Sequence, residues 1–294
     1  MGMKLYDQHL HSHYSFDCET DPRDNVLAAI DRGLAGLTFT EHFDTHAEEW
    51  SGCRYDDEVY SRAIARLRDE FGQRIFIGKG IEVCYQPQRM DFILDFLSGH
   101  RFDLVILSVH WAAGRRLYRR EEWQDLDVGT GTRLYLEAVL DAARTCRDLR
   151  QRHGRRCFDV LGHLDFVKRY TQRFFDDTRV DEHGDLLDGI LGTCLEADLV
   201  PEVNTSTLRN GMGEPMPGAA TVRRFATLGG EAMSVGSDAH STDWIAGGFD
   251  AAIEIFRNAG IEHQAVFMNR ELHTLPWPEA QPRPASGDAQ VDLT

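Results

Sequence analysis

Short apolar runs alternate with stretches of helical periodicity along most of this chain. Residues 34–39, 75–83, 102–108, 157–161, 199–204 and 232–235 have the length and apolar content of strands. The run at 102–108 is almost continuously apolar, the pattern of a strand buried on both faces in a parallel sheet. Residues 4–7 begin a first strand, and 264–268 fit a short last one. Between them, residues 24–32, 56–71, 88–97, 132–152, 180–197, 221–228 and 245–259 repeat apolar positions at helical spacing. Thr20-Asp21-Pro22 places proline near the first turn of the first helix, and Gly33 closes it. Residues 166–175, basic and aromatic, read as a loop. Trp50-Ser51-Gly52 sits in a polar loop, 205–217 is rich in glycine and proline, and 115–127 is an irregular insertion. The wider stretch 112–130 is a candidate lid.

Strand followed by helix, repeated, is the order of βαβ units and a parallel sheet. The predicted fold is α/β, a (β/α) barrel, in which the loops after the strands share one face. An open doubly wound sheet is the competing arrangement; it would spread those loops along a line. One barrel is expected over residues 1–275. Residues 276–294, proline-containing and poor in apolar side chains, read as a flexible tail.

Composition narrows the function classes. The net charge is −16, from 48 acidic against 32 basic residues. Such a surface repels a phosphate backbone, so nucleic acid is not expected as a partner. A small anionic substrate stays open, because bound metal ions reverse the field locally. No run approaches the ~18 apolar residues of a membrane span, and no secretory signal pattern opens the chain. The six cysteines are scattered without a C-x-x-C pair. They read as apolar fillers in a reducing cytoplasm.

Histidines and acids cluster where the strands end. His9 and His11 follow the first strand at i and i+2, on one face, as a pair of metal ligands would. Asp7 shares that face and can accept an N–H from a ligand histidine. His42, Glu82, His110, His163, Asp238 and His240 stand at or just beyond later strand ends. Imidazole and carboxylate without cysteine suit zinc, manganese or iron. Asp44, His46, Glu48 and Glu49 read as a solvated acidic loop. His13, His100, His153, His183, His263 and His273 lack strand-end context, and Trp111, Tyr118 and Trp123 read as packing residues.

The motifs Asp7-x-His9-x-His11, Thr40-Glu41-His42, Gly80-x-Glu82, Ser108-Val109-His110, Gly162-His163-Leu164-Asp165 and Gly236-Ser237-Asp238-Ala239-His240 occur in this order. Together they resemble the PHP (polymerase and histidinol phosphatase) superfamily. The run from Glu202 to Arg209 resembles its histidinol-phosphatase branch. The resemblance implies a distorted (β/α)7 barrel holding two or three divalent ions, zinc, manganese or iron, at the C-terminal strand ends. Carried over by motif, His9, His11, Glu82 and Asp238 would hold one ion. Glu82, bridging, would hold a second with His110 and His163. Asp17, His42 and His240 would hold a third. Asp17 stands where many histidinol phosphatases carry histidine, and Thr207 where relatives often carry glycine.

The implied reaction is hydrolysis of a phosphomonoester, L-histidinol phosphate, by a metal-bound hydroxide, serving histidine biosynthesis in the cytoplasm. Two close metal ions suit in-line attack on phosphorus, and a nearby arginine would neutralise the phosphoryl oxygens. Arg209 is the first candidate for that contact, with Asn204 opening its loop and Lys168 and Arg169 next. Asp165 or His240 would protonate the leaving alkoxide. Two alternatives stay open: a phosphoesterase for another small phosphate, a nucleotide or a phosphotyrosyl protein, and a non-catalytic metal-binding regulatory protein.

Overall fold

The fold was analysed in a computed structural model, which describes residues 5–48 and 55–278. Seven strands form its parallel core: β1 (Tyr6–Leu10), β2 (Gly36–Phe43), β3 (Phe76–Cys84), β4 (Leu104–Ser108), β7 (Val160–Leu161), β8 (Val200–Asn204) and β9 (Ala232–Gly236). Each pairs with the next in the chain. The seam between first and last closes through Asp238 N–H to the His9 carbonyl (2.7 Å) and His11 N–H to the Ala239 carbonyl (2.9 Å). Those bonds exclude an open sheet and make a distorted (β/α)7 barrel.

The helices are α1 (Pro22–Asp31), α2 (Asp57–Phe71), α3 (Met90–Gly99), α4 (Val128–His153), α5 (Val167–Phe175), α6 (Gly184–Ala197), α7 (Ala219–Thr227) and α8 (Phe249–Ala259). The Asp21 side chain caps α1, accepting from Arg23 N–H, with Pro22 in the first turn. The apolar stripe of α2 buries Tyr60, Ile64, Leu67 and Phe71, and Tyr60 donates to the Phe39 carbonyl of β2 (3.0 Å). The polar loop read at Trp50-Ser51-Gly52 lies outside the described residues.

Two expectations need correction. Residues 166–175, expected as a loop, contain α5. Its inward positions include Lys168 and Thr171, polar residues that hide the helical stripe from an apolar count. The chain also does not leave the fold at 276. Strand β10 (His263–Met268) pairs with β9 and then, antiparallel, with β11 (Glu271–Pro276). Trp277 is buried, and its ring stacks on Phe256 at 4.5 Å. The remainder of the expected tail, 279–294, lies outside the described residues.

The β10–β11 hairpin closes the barrel's lower mouth. Ala265 and Phe267 pack with Leu104, Ile106, Val160 and Val200, which point inward from β4, β7 and β8. At the hairpin turn, Arg270 N–H donates to the Asp103 carbonyl (2.9 Å) and Asn269 N–H to the Asp103 carboxylate (3.0 Å). The upper mouth, where the strands end, is left for side chains with chemistry. The 112–130 insertion reaches that mouth through Tyr118 and is built from a small hairpin, β5 (Trp111–Ala112) and β6 (Arg115–Arg116), and a 3-10 turn. Trp111 and Trp123 are buried in its packing, whereas Tyr118 is exposed.

Candidate metal centre

Parallel pairing delivers the acids and histidines side by side. His42 of β2 lies opposite Glu82 of β3 in the register, so both reach the upper mouth at one level. The Glu82 carboxylate becomes the hub. Its Oε2 lies 3.4 Å from His9 Nε2, 3.6 Å from His11 Nε2 and 2.9 Å from His42 Nδ1. Its Oε1 lies 2.9 Å from His163 Nε2 and 3.5 Å from His110 Nε2. Ser108 Oγ donates to the same Oε1 (2.6 Å). Gly162 makes room for this, since a Cβ there would collide with Ser108 Oγ.

Asp238 closes the opposite side, with Oδ1 3.4 Å from His11 Nε2 and 3.9 Å from His9 Nε2. Its backbone is held in the left-handed region at φ 51°, a conformation aspartate adopts at moderate cost. Asp17 Oδ2 lies 3.5 Å from His42 Nε2 and 3.3 Å from His240 Nε2. All nine residues expected as ligands therefore converge. The grouping is tighter than three separate sets: His11 also comes within ligand distance of His42 and His240, and His9 of Glu82 and His163.

The donor set fits a divalent metal. Among the described residues, His9 Nε2 and His11 Nε2 are buried without hydrogen-bond partners, facing carboxylate oxygens. Leaving such atoms unpaired in a dry interior is costly, and a cation among them removes the cost. The imidazoles are oriented as ligands. His11 Nδ1 donates to Ser15 Oγ (3.0 Å), which in turn donates to Glu41 (2.5 Å). That direction leaves His11 Nε2 with its lone pair. Ser12 Oγ also donates to Glu41 (2.6 Å). Burial nonetheless pushes the Glu41 carboxyl up to about 7. Burial and the nearby His42 and His240 push His11 down to about 3, which keeps it neutral. Burial raises the Glu82 carboxyl, but His9 and His42 together with hydrogen bonds from His110 and His163 hold it well below the carboxylate range.

Two assignments of the acids change. Asp7 does not touch a ligand imidazole. It accepts Ser237 Oγ–H (2.5 Å), Ser237 N–H (2.9 Å) and Ala246 N–H (2.9 Å), anchoring the loop that carries Asp238. The pairing of β1 is irregular between Asp7 and Leu10, which breaks the two-residue period that placed Asp7 beside the ligands. Asp44 is not solvated: it is buried, with Oδ1 3.5 Å from His110 Nδ1. Of its neighbours, His46 stacks on Trp111 at 3.4 Å and Glu48 pairs with Arg116 at 3.2 Å. Glu49 lies outside the described residues.

A cavity of about 760 Å³ opens over the centre, lined among others by Phe16, Tyr118, Phe166, Tyr170, Arg169 and Arg209. Arg169 lies over Phe166, with one Nη2 shared between Ser206 Oγ and Asp238 Oδ2. Arg209 gives Nη1 to the Ser237 carbonyl and Nη2 to the Asp238 carbonyl, both at 2.7 Å. His240 also lines the cavity, its Nδ1 donating to the Asp238 carbonyl (3.0 Å).

Asp165, Lys168 and Asn204 do not line it. Lys168 Nζ is buried between Asp165 Oδ2 (3.0 Å), Glu214 Oε1 (3.1 Å) and the Pro215 carbonyl (2.5 Å). Held away from the cavity, Lys168 is no phosphate contact, and Asp165, buried with Oδ2 on Lys168 and Oδ1 without a partner among the described residues, is not placed to protonate a leaving group. Asn204 is spent on Ser206, accepting its N–H (3.1 Å) and its hydroxyl (2.6 Å). Lys168→Met is expected to cost about 3–5 kcal/mol, as when one partner of a buried pair is removed. Denaturant unfolding would measure that loss, and KM would stay unchanged. A raised KM at parental stability would return Lys168 to the substrate.

Among known proteins, the chain matches the PHP domain family over residues 7–206. It is 29% identical over 279 residues to a histidinol-phosphatase of Lactococcus lactis subsp. lactis (strain IL1403), covering 92% of this chain and 97% of that protein. A crystal structure of histidinol phosphate phosphatase from Lactococcus lactis subsp. lactis, complexed with zinc, L-histidinol and phosphate, superposes with a TM-score of 0.76. It is 26% identical, over 92% of this chain and 99% of that one. The fold alone is shared, at a TM-score of 0.53 and 13% identity, with a chain from the structures of the metal-dependent tyrosine phosphatases YwqE of Bacillus subtilis and CpsB of Streptococcus pneumoniae. That match covers 94% of this chain and 100% of the other.

Proposed function

Because this chain belongs to the PHP domain family, we propose that it hydrolyses L-histidinol phosphate to L-histidinol and phosphate at this centre. It is a metal-dependent phosphomonoesterase. The observation that carries the reading is one carboxylate, Glu82, facing five imidazoles at the floor of a cavity that also holds two arginines. His9, His11, Glu82 and Asp238 would hold one divalent ion, Glu82, His110 and His163 a second, and Asp17, His42 and His240 a third. Such a centre supplies activation of the nucleophile and neutralisation of phosphoryl charge.

The chain's own residues supply the rest. Arg169 directs a guanidinium into the cavity beside Asp238, where a phosphoryl oxygen can meet it. Arg209, spent on two carbonyls, holds the Asp238 loop in place. His240, the other candidate for protonating the departing alkoxide, gives Nδ1 to the Asp238 carbonyl and turns Nε2 to Asp17, so both ring nitrogens serve the third ion site rather than the leaving group. Phe16, Tyr118, Phe166 and Tyr170 give the cavity an apolar side for the rest of the substrate. Among the described residues no helix is long and apolar enough to cross a membrane. The described cysteines are free thiols, as a reducing cytoplasm keeps them, and we assign the enzyme to that compartment.

The test is phosphate release from L-histidinol phosphate against other phosphomonoesters, phosphotyrosyl peptides and a phosphodiester. The protein is loaded in turn with zinc, manganese or iron, with His110→Ala as control. Preference for L-histidinol phosphate, lost in the control, is the expected result. Turnover of the other esters with L-histidinol phosphate ignored would discard the substrate and keep the centre. No turnover of any ester would favour a non-catalytic metal protein.

A further inference from the structure

The geometry points to Glu202 as a positioning residue that couples the two ion sites sharing Glu82, an inference that rests on the metal-centre reading above. Glu202 is buried on β8. Its Oε1 accepts from His9 Nδ1 at 2.7 Å. Its Oε2 accepts the backbone N–H of His163 at 2.9 Å and lies 3.4 Å from Asn204 Nδ2. His9 comes from β1 and His163 from the loop after β7, and each aims Nε2 at a different oxygen of Glu82. One carboxylate thus sets the tautomer of a ligand in the first site and the backbone position of a ligand in the second. The packing is built around it. A Cβ at Gly236 would collide with both His9 Cβ and Glu202 Oε1, so β9 leaves space for this contact.

Glutamine at 202 has one acceptor oxygen where glutamate has two. Asn204 cannot turn its amide to compensate, because Oδ1 already accepts from Ser206. The glutamine oxygen is therefore drawn to the side with two donors, and its NH2 faces His9 Nδ1. His9 must then carry its proton on Nε2, toward the ion.

The experiment counts bound zinc by elemental analysis and measures affinity by competition with a chromophoric chelator, in the parent, Glu202→Gln and Glu202→Ala. Glu202→Gln is expected to weaken the His9 ion about 10–100-fold, the usual loss for such an outer partner. Glu202→Ala is expected to weaken both ions together. In the parent, 15N NMR of the imidazoles is expected to show His9 protonated at Nδ1, which needs no variant to fold. Parental affinities in Glu202→Gln, or an Nε2-protonated His9 in the parent, would overturn the assignment. A parent that binds no zinc at all would overturn the metal centre itself, and this inference with it.

Discussion

Glu82→Gln is expected to lower turnover of L-histidinol phosphate by about 10²–10³-fold, the loss seen when a group stabilising the transition-state charge is removed. The geometry explains why this exchange should exceed any single histidine variant. Each imidazole meets one oxygen of Glu82, whereas Glu82 meets His9, His11 and His42 through Oε2 and His110 and His163 through Oε1. The amide keeps the shape and loses one acceptor and the negative charge. Its NH2 would then face ligand atoms or the cation, wherever it turns. The charge matters as much as the shape, because Glu82 is buried and a neutral amide gives a buried cation no opposing charge. Phosphate release at saturating substrate, with zinc counted in the same samples, checks both consequences: fewer bound ions and a lower rate. A variant with full zinc and parental turnover would take Glu82 out of the reaction.

Much of the barrel and its site was legible in the chain, for a physical reason. Parallel strands buried on both faces must be almost wholly apolar, so the point where such a run ends in histidine or acid marks a strand's C-terminal end. His42, Glu82, His110, His163 and Asp238 could all be located that way. What local pattern could not supply was the partner across the fold. Glu202 could be seen in the chain, but its contact with His9 spans 193 positions. Asp7, two residues from His9, was the obvious local choice, and an irregular strand pairing turns it to Ser237 instead. Asp44 sits among polar neighbours, and its nearness to both His110 and His42 across the fold is what distinguishes it. Helix α5 was hidden because its inward face carries Lys168, whose charge is answered by Asp165 and Glu214. Strand β11 has a polar, largely exposed face and is held by pairing with β10, so no apolar run announces it.

The two cavity arginines should separate on exchange to methionine, which keeps much of the side chain's bulk and removes the charge. Arg169→Met is expected to lower kcat/KM for L-histidinol phosphate about 10²-fold, the scale of one lost charge-stabilising donor, with zinc content unchanged. Among the described residues its Nε is buried without a hydrogen-bond partner, and its Nη2 is given to Ser206 and Asp238. The guanidinium therefore has donors to spare for a phosphoryl group, and inorganic phosphate should inhibit the variant less than the parent. Arg209→Met should fail differently. Both of its terminal nitrogens hold carbonyls of the loop that carries Asp238 at φ 51°. Without them that left-handed conformation loses its clamp, and Asp238 drifts from His11. Zinc affinity should fall along with turnover, and excess zinc should restore part of the rate. Saturating zinc that rescues Arg169→Met but not Arg209→Met would exchange the two roles, with Arg209 meeting the phosphate and Arg169 holding Asp238 through its carboxylate.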